Sequence, residues 1–302
     1  MHDHKDLSPA AVDRRGFLRH LAGAAAGGMV AFSRTAGGGE PQAAWKMRLA
    51  GSSINFTSLP IEAAVARIAA LGFDAIDVWS AHAGCPHLDD VLERLGPAGL
   101  KELLAKHNLD LYSFSVYKGG YPKYAELLGK AGGGVAVRNS RGGNPAELVA
   151  EMKAFLEGLK PELELAEKHG SYLAIENHGN ALLSTLDSLK AFVDLNTHSR
   201  LGIALAPFHV QRQNESVVDA IRVCGGQLFF FYAWQNAGET GQLPGVGPTD
   251  FTPWLAELAA IGFRWPVTPF MHHEPEPDEM SQALAKSRDY LRDCCRRAVL
   301  RE

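Results

Sequence analysis

The sequence is poor in cysteine. Only four of its 302 residues are cysteines, and no two stand in the Cys-x-x-Cys spacing of redox pairs and zinc sites. Two of the four are adjacent in sequence, and adjacent cysteines on a helix do not readily bridge to each other. We therefore expect four free thiols and no sulfur-bound metal: Cys85, Cys224, Cys294 and Cys295.

The chain also lacks an excess of positive charge. Its 30 Lys and Arg residues are outnumbered by 34 Asp and Glu residues, which gives a formal charge of −4. Residues 1–44 hold five basic and four acidic side chains, so residues 45–302 carry a formal charge of −5. A protein that follows nucleic-acid phosphates needs a basic surface. The charge balance therefore argues against a nucleic-acid partner.

Long apolar runs are missing as well. No segment reaches the ~20 apolar residues that a membrane-spanning helix requires, so we expect no stable membrane insertion. Residues 1–44 instead resemble a twin-arginine export signal, with Arg14-Arg15, then Phe17-Leu18, then a mild Ala/Gly-rich stretch at 21–32. A short membrane anchor is the alternative. The resemblance implies an export signal and flexible linker, and export of the folded protein to the periplasm.

A Gly-x-Gly-x-x-Gly turn is missing after the first predicted strand, which argues against an open dinucleotide-binding sheet. The sequence has instead short apolar runs alternating with longer amphipathic runs, the pattern of parallel strands joined by helices. Eight such units in roughly 255 residues favour an α/β protein with a single (β/α)8 TIM barrel over residues 45–302. A doubly wound open sheet is the alternative. The predicted strands are Arg48–Asn55, Phe73–Trp79, Asp110–Val116, Val135–Asn139, Tyr172–Glu176, Leu201–Leu205, Leu228–Trp234 and Val267–Met271.

In such a barrel, reactive groups gather where the strands end at their carboxyl side. The clearest signal is the fifth predicted strand, which ends in Glu176 and is followed directly by Asn177 and His178. His209 follows the sixth strand, and His272 follows the eighth. The alternative for Glu176 is a structural role as the cap of the next helix. We predict Glu176, His209 and His272 as catalytic residues.

Other strand ends supply predicted substrate-binding residues. His178 and Asn177 would act beside Glu176, and Trp234 with Gln235 would offer a stacking face and an amide to a sugar. Arg138 ends the fourth predicted strand, and His82 follows the second. The predicted partner is thus a small carbohydrate.

The eight units carry further motifs: Ile175-Glu176-Asn177-His178, the strand-then-His run Leu205–His209, and Pro-Gly-x-Gly-x-x-Asp-Phe at Pro244–Phe251. Together they resemble the sugar phosphate isomerase/epimerase superfamily, the xylose-isomerase-like barrels. The resemblance covers nearly all of residues 47–293. It implies a (β/α)8 barrel, a sugar substrate and one divalent metal.

Members of that superfamily hold the metal with a Glu after strand five, an Asp after strand six, a His or Gln after strand seven and a Glu after strand eight. Carried onto this sequence, Glu176 matches the first position, Ala206 takes the place of the Asp, and Thr268 takes the place of the last Glu. For the third position, Tyr232 and Gln235 are both candidates. Two of the usual carboxylates are therefore replaced.

This departure bears on the cofactor, because a hard ion such as Mg²⁺ or Mn²⁺ needs several oxygen ligands. If a metal binds, the predicted ligands are Glu176 and the imidazoles of His178, His209 and His272, a set better suited to Zn²⁺, Co²⁺ or Ni²⁺. The alternative is no metal at all. Then His209, which matches a substrate-contacting His of the superfamily, or His272 would act as base and acid.

The expected chemistry is proton transfer next to the carbonyl of a sugar or keto-sugar, with Glu176 as the base. Isomerisation and epimerisation differ only in where the proton returns. A 3-keto-glycoside lyase uses the same first step and stays open as an alternative. A degenerate sugar-binding barrel without turnover is the alternative outside the enzymes, and an endonuclease is disfavoured by the acidic body.

Overall fold

In this computed structural model the described residues are 45–80, 84–273 and 275–299. The predicted export signal, residues 1–44, and the predicted substrate-binding residue His82 lie outside them. No helix within the described ranges is both long enough and apolar enough to cross a membrane.

Eight parallel strands form one sheet in the order of the sequence. The last strand returns to the first: Leu49 bridges Val267, and the Val267 N–H donates to the Arg48 carbonyl at 2.9 Å. The sheet thus closes on itself, which confirms the predicted (β/α)8 barrel and leaves no doubly wound sheet. The strands are β1 Ala50–Ser52, β2 Ala75–Trp79, β3 Asp110–Ser115, β4 Val135–Asn139, β5 Tyr172–Glu176, β6 Leu201–Leu205, β7 Leu228–Ala233 and β8 Val267–Pro269.

Helices follow the strands and cover the outside of the barrel. Proline occupies the first turn of several of them, where its missing N–H costs no hydrogen bond. The helices are α1 Ile61–Ala70, α2 His87–Asp90, α3 Gly96–Lys106, α4 Gly120–Ala131, α5 Leu148–Gly158, α6 Lys160–His169, α7 Leu186–Leu195, α8 Pro207–Arg212, α9 Val217–Cys224, α10 Thr252–Ala260 and α11 Pro277–Val299.

The first and last strands are shorter than predicted. The chain leaves β1 at Ser52 and winds into a 3-10 turn over Ser53–Phe56. It leaves β8 at Pro269, a residue with no N–H for the sheet ladder. Both departures occur at the carboxyl ends of the strands, so they shape the face on which the predicted site lies.

Strand alternation separates an inner core from an outer core. On β4, Val135 and Val137 pack inside the barrel, whereas Ala136 packs outward against the helices. The inner core is lopsided, because β5 and β6 contribute the small Ala174 and Ala204 while β7 contributes large aromatic rings. Large rings from β2 and β3 fill further parts of the interior, which leaves the space beside Ala174 and Ala204 free of bulky side chains from β5 and β6 themselves.

A substitution at Gly202 on β6 can test this packing. A Cβ at that position would lie 2.5 Å from the Gln227 carbonyl oxygen and 2.6 Å from the Phe229 ring. We expect Gly202→Ala to destabilise the fold by roughly 1–3 kcal/mol, because the clash involves backbone and a packed ring. The measurement is thermal unfolding. Gly158→Ala is the matched control: nothing lies within 4 Å of its added Cβ, so it should leave stability unchanged or slightly raised. Equal unfolding midpoints for the two variants would contradict this packing.

Candidate active site

Glu176 ends β5 and is buried, with 7% of its surface exposed. Its Oε2 accepts a hydrogen bond from the Tyr117 hydroxyl at 2.6 Å, and the Tyr117 hydroxyl lies 2.9 Å from that of Tyr232. Burial raises the pKa of the Glu176 carboxyl to about 7, the Tyr117 hydrogen bond lowers it, and the charge of Asp77 raises it further. A carboxyl of this kind can both accept and release a proton near neutral pH.

The structure also shows that Glu176 does not cap the next helix. The N-terminus of α7 is capped by Thr185 and Ser188, whose side chains each accept a hydrogen bond from the backbone N–H of the other. The alternative structural role for Glu176 is therefore filled by other residues.

A second buried carboxyl, Asp77 on β2, was not predicted. It is fully buried and accepts hydrogen bonds from the hydroxyls of Ser52 at 3.0 Å, Ser113 at 2.8 Å and Ser115 at 3.0 Å, and from the Trp79 indole N–H. Burial raises its pKa to about 6, and the four donors oppose that rise. The sequence held a signal, namely an Asp within an apolar strand facing Ser113 and Ser115 at alternate positions of the next strand.

His209 lies on α8 and is buried. The Gly179 N–H donates to its Nδ1 at 3.4 Å, and its Nε2 has no hydrogen-bond partner within the described part of the chain. Burial lowers the pKa of the imidazole to about 3, and the neighbouring His178 and His272 lower it as well. The ring is thus neutral at physiological pH, and since Nδ1 accepts a hydrogen bond, Nε2 carries the proton. His209 is a neutral donor rather than the acid and base predicted from an ordinary imidazole.

The other two histidines lie close to His209. The rings of His178 and His209 are 4.1 Å apart between centroids. The rings of His209 and His272 each pack edge-to-face with the Trp234 ring, with centroids 5.2 and 5.0 Å apart. Phe270 connects this group with the carboxyl side of the site, at 5.1 Å from His272 and 5.0 Å from Tyr232. The predicted imidazoles therefore lie together on one wall of the barrel mouth, beside Trp234 and Phe270.

Trp234 is the centre of that wall. It is buried, its indole N–H donates to the Gln242 side chain at 2.7 Å, and Phe208 stacks on it at 4.2 Å with an interplanar angle of 5°. One face of the indole is covered by Phe208, so this face is not offered to a sugar. The same Gln242 oxygen accepts the backbone N–H of His272 at 3.1 Å, which ties the loop after β8 to the loop after β7.

Three predicted substrate-binding residues serve the scaffold instead. The side-chain amide of Asn177 makes two hydrogen bonds with the backbone of Ala206. Its Oδ1 accepts from the Ala206 N–H at 2.6 Å and its Nδ2 donates to the Ala206 carbonyl at 3.2 Å, which joins the ends of β5 and β6. The side-chain amide of Gln235 donates a hydrogen bond to the Leu243 carbonyl and accepts one from the Thr249 N–H, each at 2.8 Å. These bonds hold the loop after β7 in place.

Arg138 is the third predicted substrate-binding residue that has a structural role instead. It has the outward register of Ala136 on β4 and pairs with Glu162 of α6 on the outside of the barrel. Strand alternation, which places Val137 inside, is the physical reason.

The predicted metal ligands do not form a set. Among the residues described, no three His, Cys, Asp or Glu side chains are grouped so that they could hold a metal ion. Glu176 is engaged by Tyr117, and the imidazoles of His178, His209 and His272 pack against one another and against Trp234. At the two replaced positions stand Ala206, which has no donor atom, and Thr268, whose buried hydroxyl has no hydrogen-bond partner within the described ranges. The described residues therefore do not fit the superfamily's metal.

The pKa of Glu176 makes a prediction about stability. A carboxyl that binds its proton more tightly when folded costs stability as pH rises from about 4.5 to about 7, and the full cost remains above that range. We expect Glu176→Gln to raise the free energy of unfolding relative to wild type more at pH 8 than at pH 4. The gain at pH 8 should exceed that at pH 4 by on the order of 2–3 kcal/mol. Chemical denaturation at the two pH values measures this. Glu126→Gln, at an exposed carboxylate paired with Lys130, should show no such gain, and a gain of equal size there would contradict the account.

The neutral state of His209 is tested by imidazole NMR. The His209 ring resonances should stay constant from about pH 8 to about pH 5, because its pKa lies near 3. His209→Gln identifies the resonance by its loss. A titration of that resonance near the ordinary value of ~6.5 would show that the ring is solvated and ionises.

Residues 65–294 match the family described as xylose isomerase-like TIM barrel. No curated protein matches the sequence. Among solved structures, the chain is similar to 3-keto-D-glucoside 4-epimerase from E. coli in its apo form, with 16% identity and a TM-score of 0.63 over 81% of this chain and 100% of that one.

The chain is also similar to a D-psicose 3-epimerase from Clostridium cellulolyticum H10 with D-tagatose, with 16% identity and a TM-score of 0.65 over 82% and 99% of the two chains. It is similar as well to the IOLI protein with a zinc atom, with 16% identity and a TM-score of 0.64 over 83% of this chain and 99% of that one. The chain spans 42% of a xylose isomerase-like TIM barrel/4-hydroxyphenylpyruvate dioxygenase fusion protein, with 18% identity and a TM-score of 0.60 over 80% of this chain. At these identities the structural likenesses show a shared fold. Because the family match spans most of the barrel, this protein belongs to the xylose isomerase-like TIM barrel family.

Proposed function

We propose that this protein is an isomerase or epimerase that moves a proton at the carbon beside the carbonyl of a keto-sugar, with Glu176 as the base. The observation that carries the proposal is the buried Glu176 carboxyl at the end of β5, with a pKa of about 7 and a single hydroxyl donor. A base whose pKa lies near the working pH can take the proton and give it back.

The step balances within the site. Glu176 takes the proton from carbon, the C–H electron pair forms a carbon–carbon double bond, and the carbonyl oxygen becomes an enolate oxygen. The Nε2–H of the neutral His209 is a buried donor without a partner among the described residues, suited to that oxygen as its negative charge develops. Return of the proton to the neighbouring, former carbonyl carbon, with the hydroxyl proton of the deprotonated carbon passing to the enolate oxygen, completes an isomerisation. An epimerisation needs a proton from solvent on the opposite face of the original carbon, while Glu176 releases its own proton to solvent.

A buried aromatic wall borders the proposed site on one side. Trp234, Phe208 and Phe270 pack together beside the histidines and keep water away from that side of the mouth. Exclusion of water strengthens the electrostatic effect of the His209 donor. The likeness to a 3-keto-D-glucoside 4-epimerase and to a D-psicose 3-epimerase supports the same substrate class. The wall, the donor and the base together support a neutral keto-sugar rather than a nucleic acid.

The test is solvent exchange. The purified protein is incubated in D₂O with ketohexoses and with 3-keto-glucosides, and deuterium uptake beside the carbonyl is followed by proton NMR. We expect uptake with at least one sugar, and we expect Glu176→Gln to slow it by roughly 10²–10⁴-fold, the usual contribution of a positioned general base. Glu126→Gln on the exposed face of α4 is the matched control and should exchange at the wild-type rate.

The products separate the alternatives. Exchange with loss of the sugar's glycosidic substituent would assign a 3-keto-glycoside lyase in place of an isomerase. Sugar binding without exchange would assign a binding barrel. Exchange that continues unchanged in Glu176→Gln would remove Glu176 from the role of base.

A further inference from the structure

Three side chains of the described residues are more than nine-tenths buried and carry polar atoms that make no hydrogen bond. They are Asn55 at 1% exposure, Thr268 at 0% and His209 at 7%. The Asn55 amide is unpaired at both Oδ1 and Nδ2, Thr268 at its hydroxyl and His209 at Nε2. The one further such atom in the described ranges, Oε2 of Glu162, belongs to a carboxylate that pairs with Arg138 through its other oxygen. Because an unpaired buried polar group destabilises a fold, these three side chains call for an explanation outside folding.

All three stand at the same end of the barrel. Asn55 follows β1, His209 follows β6, and Thr268 lies on the short strand β8. β8 and β1 are neighbours, since Leu49 bridges Val267. In a (β/α)8 barrel this end, where the strands finish, is the end that binds substrates. The unpaired groups therefore gather where a ligand would supply their partners.

Thr268 faces the inside of the barrel, toward the proposed site. Its neighbour Val267 packs in the outer core, and strand alternation turns Thr268 the other way. It lies in register with Tyr232 of the inner core. The Tyr232 hydroxyl is 2.9 Å from that of Tyr117, which donates to Glu176. The Thr268 hydroxyl thus stands on the same inner surface as the residues that hold the proposed base.

Asn55 lies in the 3-10 turn Ser53–Phe56 at the end of β1. Ser52, the last residue of β1, points inward, because its hydroxyl bonds the buried Asp77. Side chains three residues apart in a 3-10 turn lie one above the other, which places Asn55 over Ser52 on the side of the mouth. Ile54 of the same turn packs in the inner core. The turn therefore presents the Asn55 amide to the interior of the barrel.

The unpaired atoms of these two residues specify the chemistry of a ligand. The Asn55 amide offers one acceptor and two donors, and the Thr268 hydroxyl can donate or accept. A phosphate or carboxylate only accepts and would leave Oδ1 of Asn55 unpaired, whereas a metal ion would leave its Nδ2 unpaired. Hydroxyl groups both donate and accept, so the hydroxyls of a neutral sugar satisfy every one of these atoms.

A sugar reaches Thr268 only if a neighbouring side chain moves, because the hydroxyl is enclosed. Phe270 is that neighbour. It follows Thr268 by two residues, and its N–H bonds the Ala233 carbonyl, which continues the pairing with β7 and turns its ring to the same inner side. The ring stacks on Trp79 at 5.3 Å and lies 5.0 Å from that of Tyr232. Phe270 therefore covers Thr268 on the side of the mouth.

We propose that Asn55 and Thr268 are specificity-determining residues, which bind hydroxyl groups of the sugar when the Phe270 ring turns aside. The proposal rests on the proposed function, because it assigns contacts to the substrate of that reaction. Neither residue takes part in the proton transfer.

The first test measures thermal unfolding without sugar. Thr268→Val keeps the shape of the side chain and removes the unpaired hydroxyl, so the midpoint should rise by about 2–4 °C. Thr252→Val is the matched control, since Thr252 is equally buried but its hydroxyl donates to Asp250 at 2.7 Å. This control should lower the midpoint. A fall of similar size in Thr268→Val would show that its hydroxyl is already bonded within the protein or to trapped water, and would overturn the proposal.

The second test measures sugar binding by titration calorimetry with D-fructose and with methyl 3-keto-α-D-glucopyranoside. We expect at least one of them to bind the wild type. Its dissociation constant should rise roughly 10-fold in Thr268→Val and in Asn55→Leu, and stay unchanged in Thr252→Val. Wild-type affinity in either Thr268→Val or Asn55→Leu would overturn the proposal, and so would failure of both sugars to bind the wild type.

Monodeoxy analogues of the sugar that binds separate a direct contact from a structural effect. At least one analogue should bind the wild type roughly 10-fold more weakly than the parent sugar does, yet bind Thr268→Val as tightly as the parent does. A structural role for Thr268 would not produce this pattern. Equal losses on both proteins for every analogue would overturn the proposal.

The movement of Phe270 is followed by fluorine NMR of protein labelled with 4-fluorophenylalanine. Loss of one resonance in Phe270→Leu assigns the ring. That resonance should shift when the sugar saturates the protein, because the ring leaves its place against Trp79 and Tyr232. An unshifted resonance at saturation would overturn the proposal.

Deuterium exchange separates this proposal from the proposed function. Sugar binding that depends on Asn55 and Thr268 in a protein that exchanges no sugar proton would refute the proposed function and leave these contacts in place. Exchange that requires Glu176 but proceeds with wild-type sugar affinity in Asn55→Leu and Thr268→Val would refute the contacts and leave the proposed function in place.

Discussion

The hydrogen bond from the Tyr117 phenol to Glu176 is the interaction on which the site depends. Burial alone would drive the Glu176 carboxyl to its protonated form, and this bond is what lowers the pKa back towards neutrality. The bond also fixes the carboxyl at the end of β5 and connects it to the phenol of Tyr232 on β7. A single donor thus sets both the position and the ionisation of the proposed base.

The barrel makes this arrangement possible through its uneven core. Small side chains of β5 and β6 leave room near Glu176, and aromatic side chains of the neighbouring β7 fill part of the interior. Ala206 and Thr268 occupy the places where the resemblance expects metal-binding carboxylates. The chain keeps the family's scaffold and carries Glu176 at the end of the fifth strand, and the described polar groups around the mouth are phenols, serines and imidazoles.

Much of the fold could be predicted from the sequence, because eight apolar runs with helical segments between them specify eight parallel strands. Glu176 could be placed at the mouth for the same reason, since it ends a strand that is apolar throughout. Arg138 was predicted to bind substrate although strand alternation with Val137 turns it outward. Its pairing with Glu162 follows from that register.

Other features depend on contacts between distant segments. The side-chain amide of Asn177 forms a hydrogen bond with the backbone of Ala206, and a sequence pattern of side chains does not reveal a backbone partner. The serines that bind Asp77 come from two strands on either side of it, so the carboxyl looks like an isolated polar residue in the sequence. The predicted metal set requires imidazoles and Glu176 grouped closely enough to share one ion, and only the folded chain shows that no such group of three ligands forms among the described residues.

Infrared spectroscopy of the protonated carboxyl measures the central claim most directly. The difference spectrum between wild type and Glu176→Gln isolates the C=O absorption of the Glu176 acid as pH is varied. The account predicts that this absorption persists through mildly acidic pH and is half lost at about pH 7. Loss of the absorption near the ordinary glutamate value of ~4.3 would show a solvated carboxylate and would contradict the account.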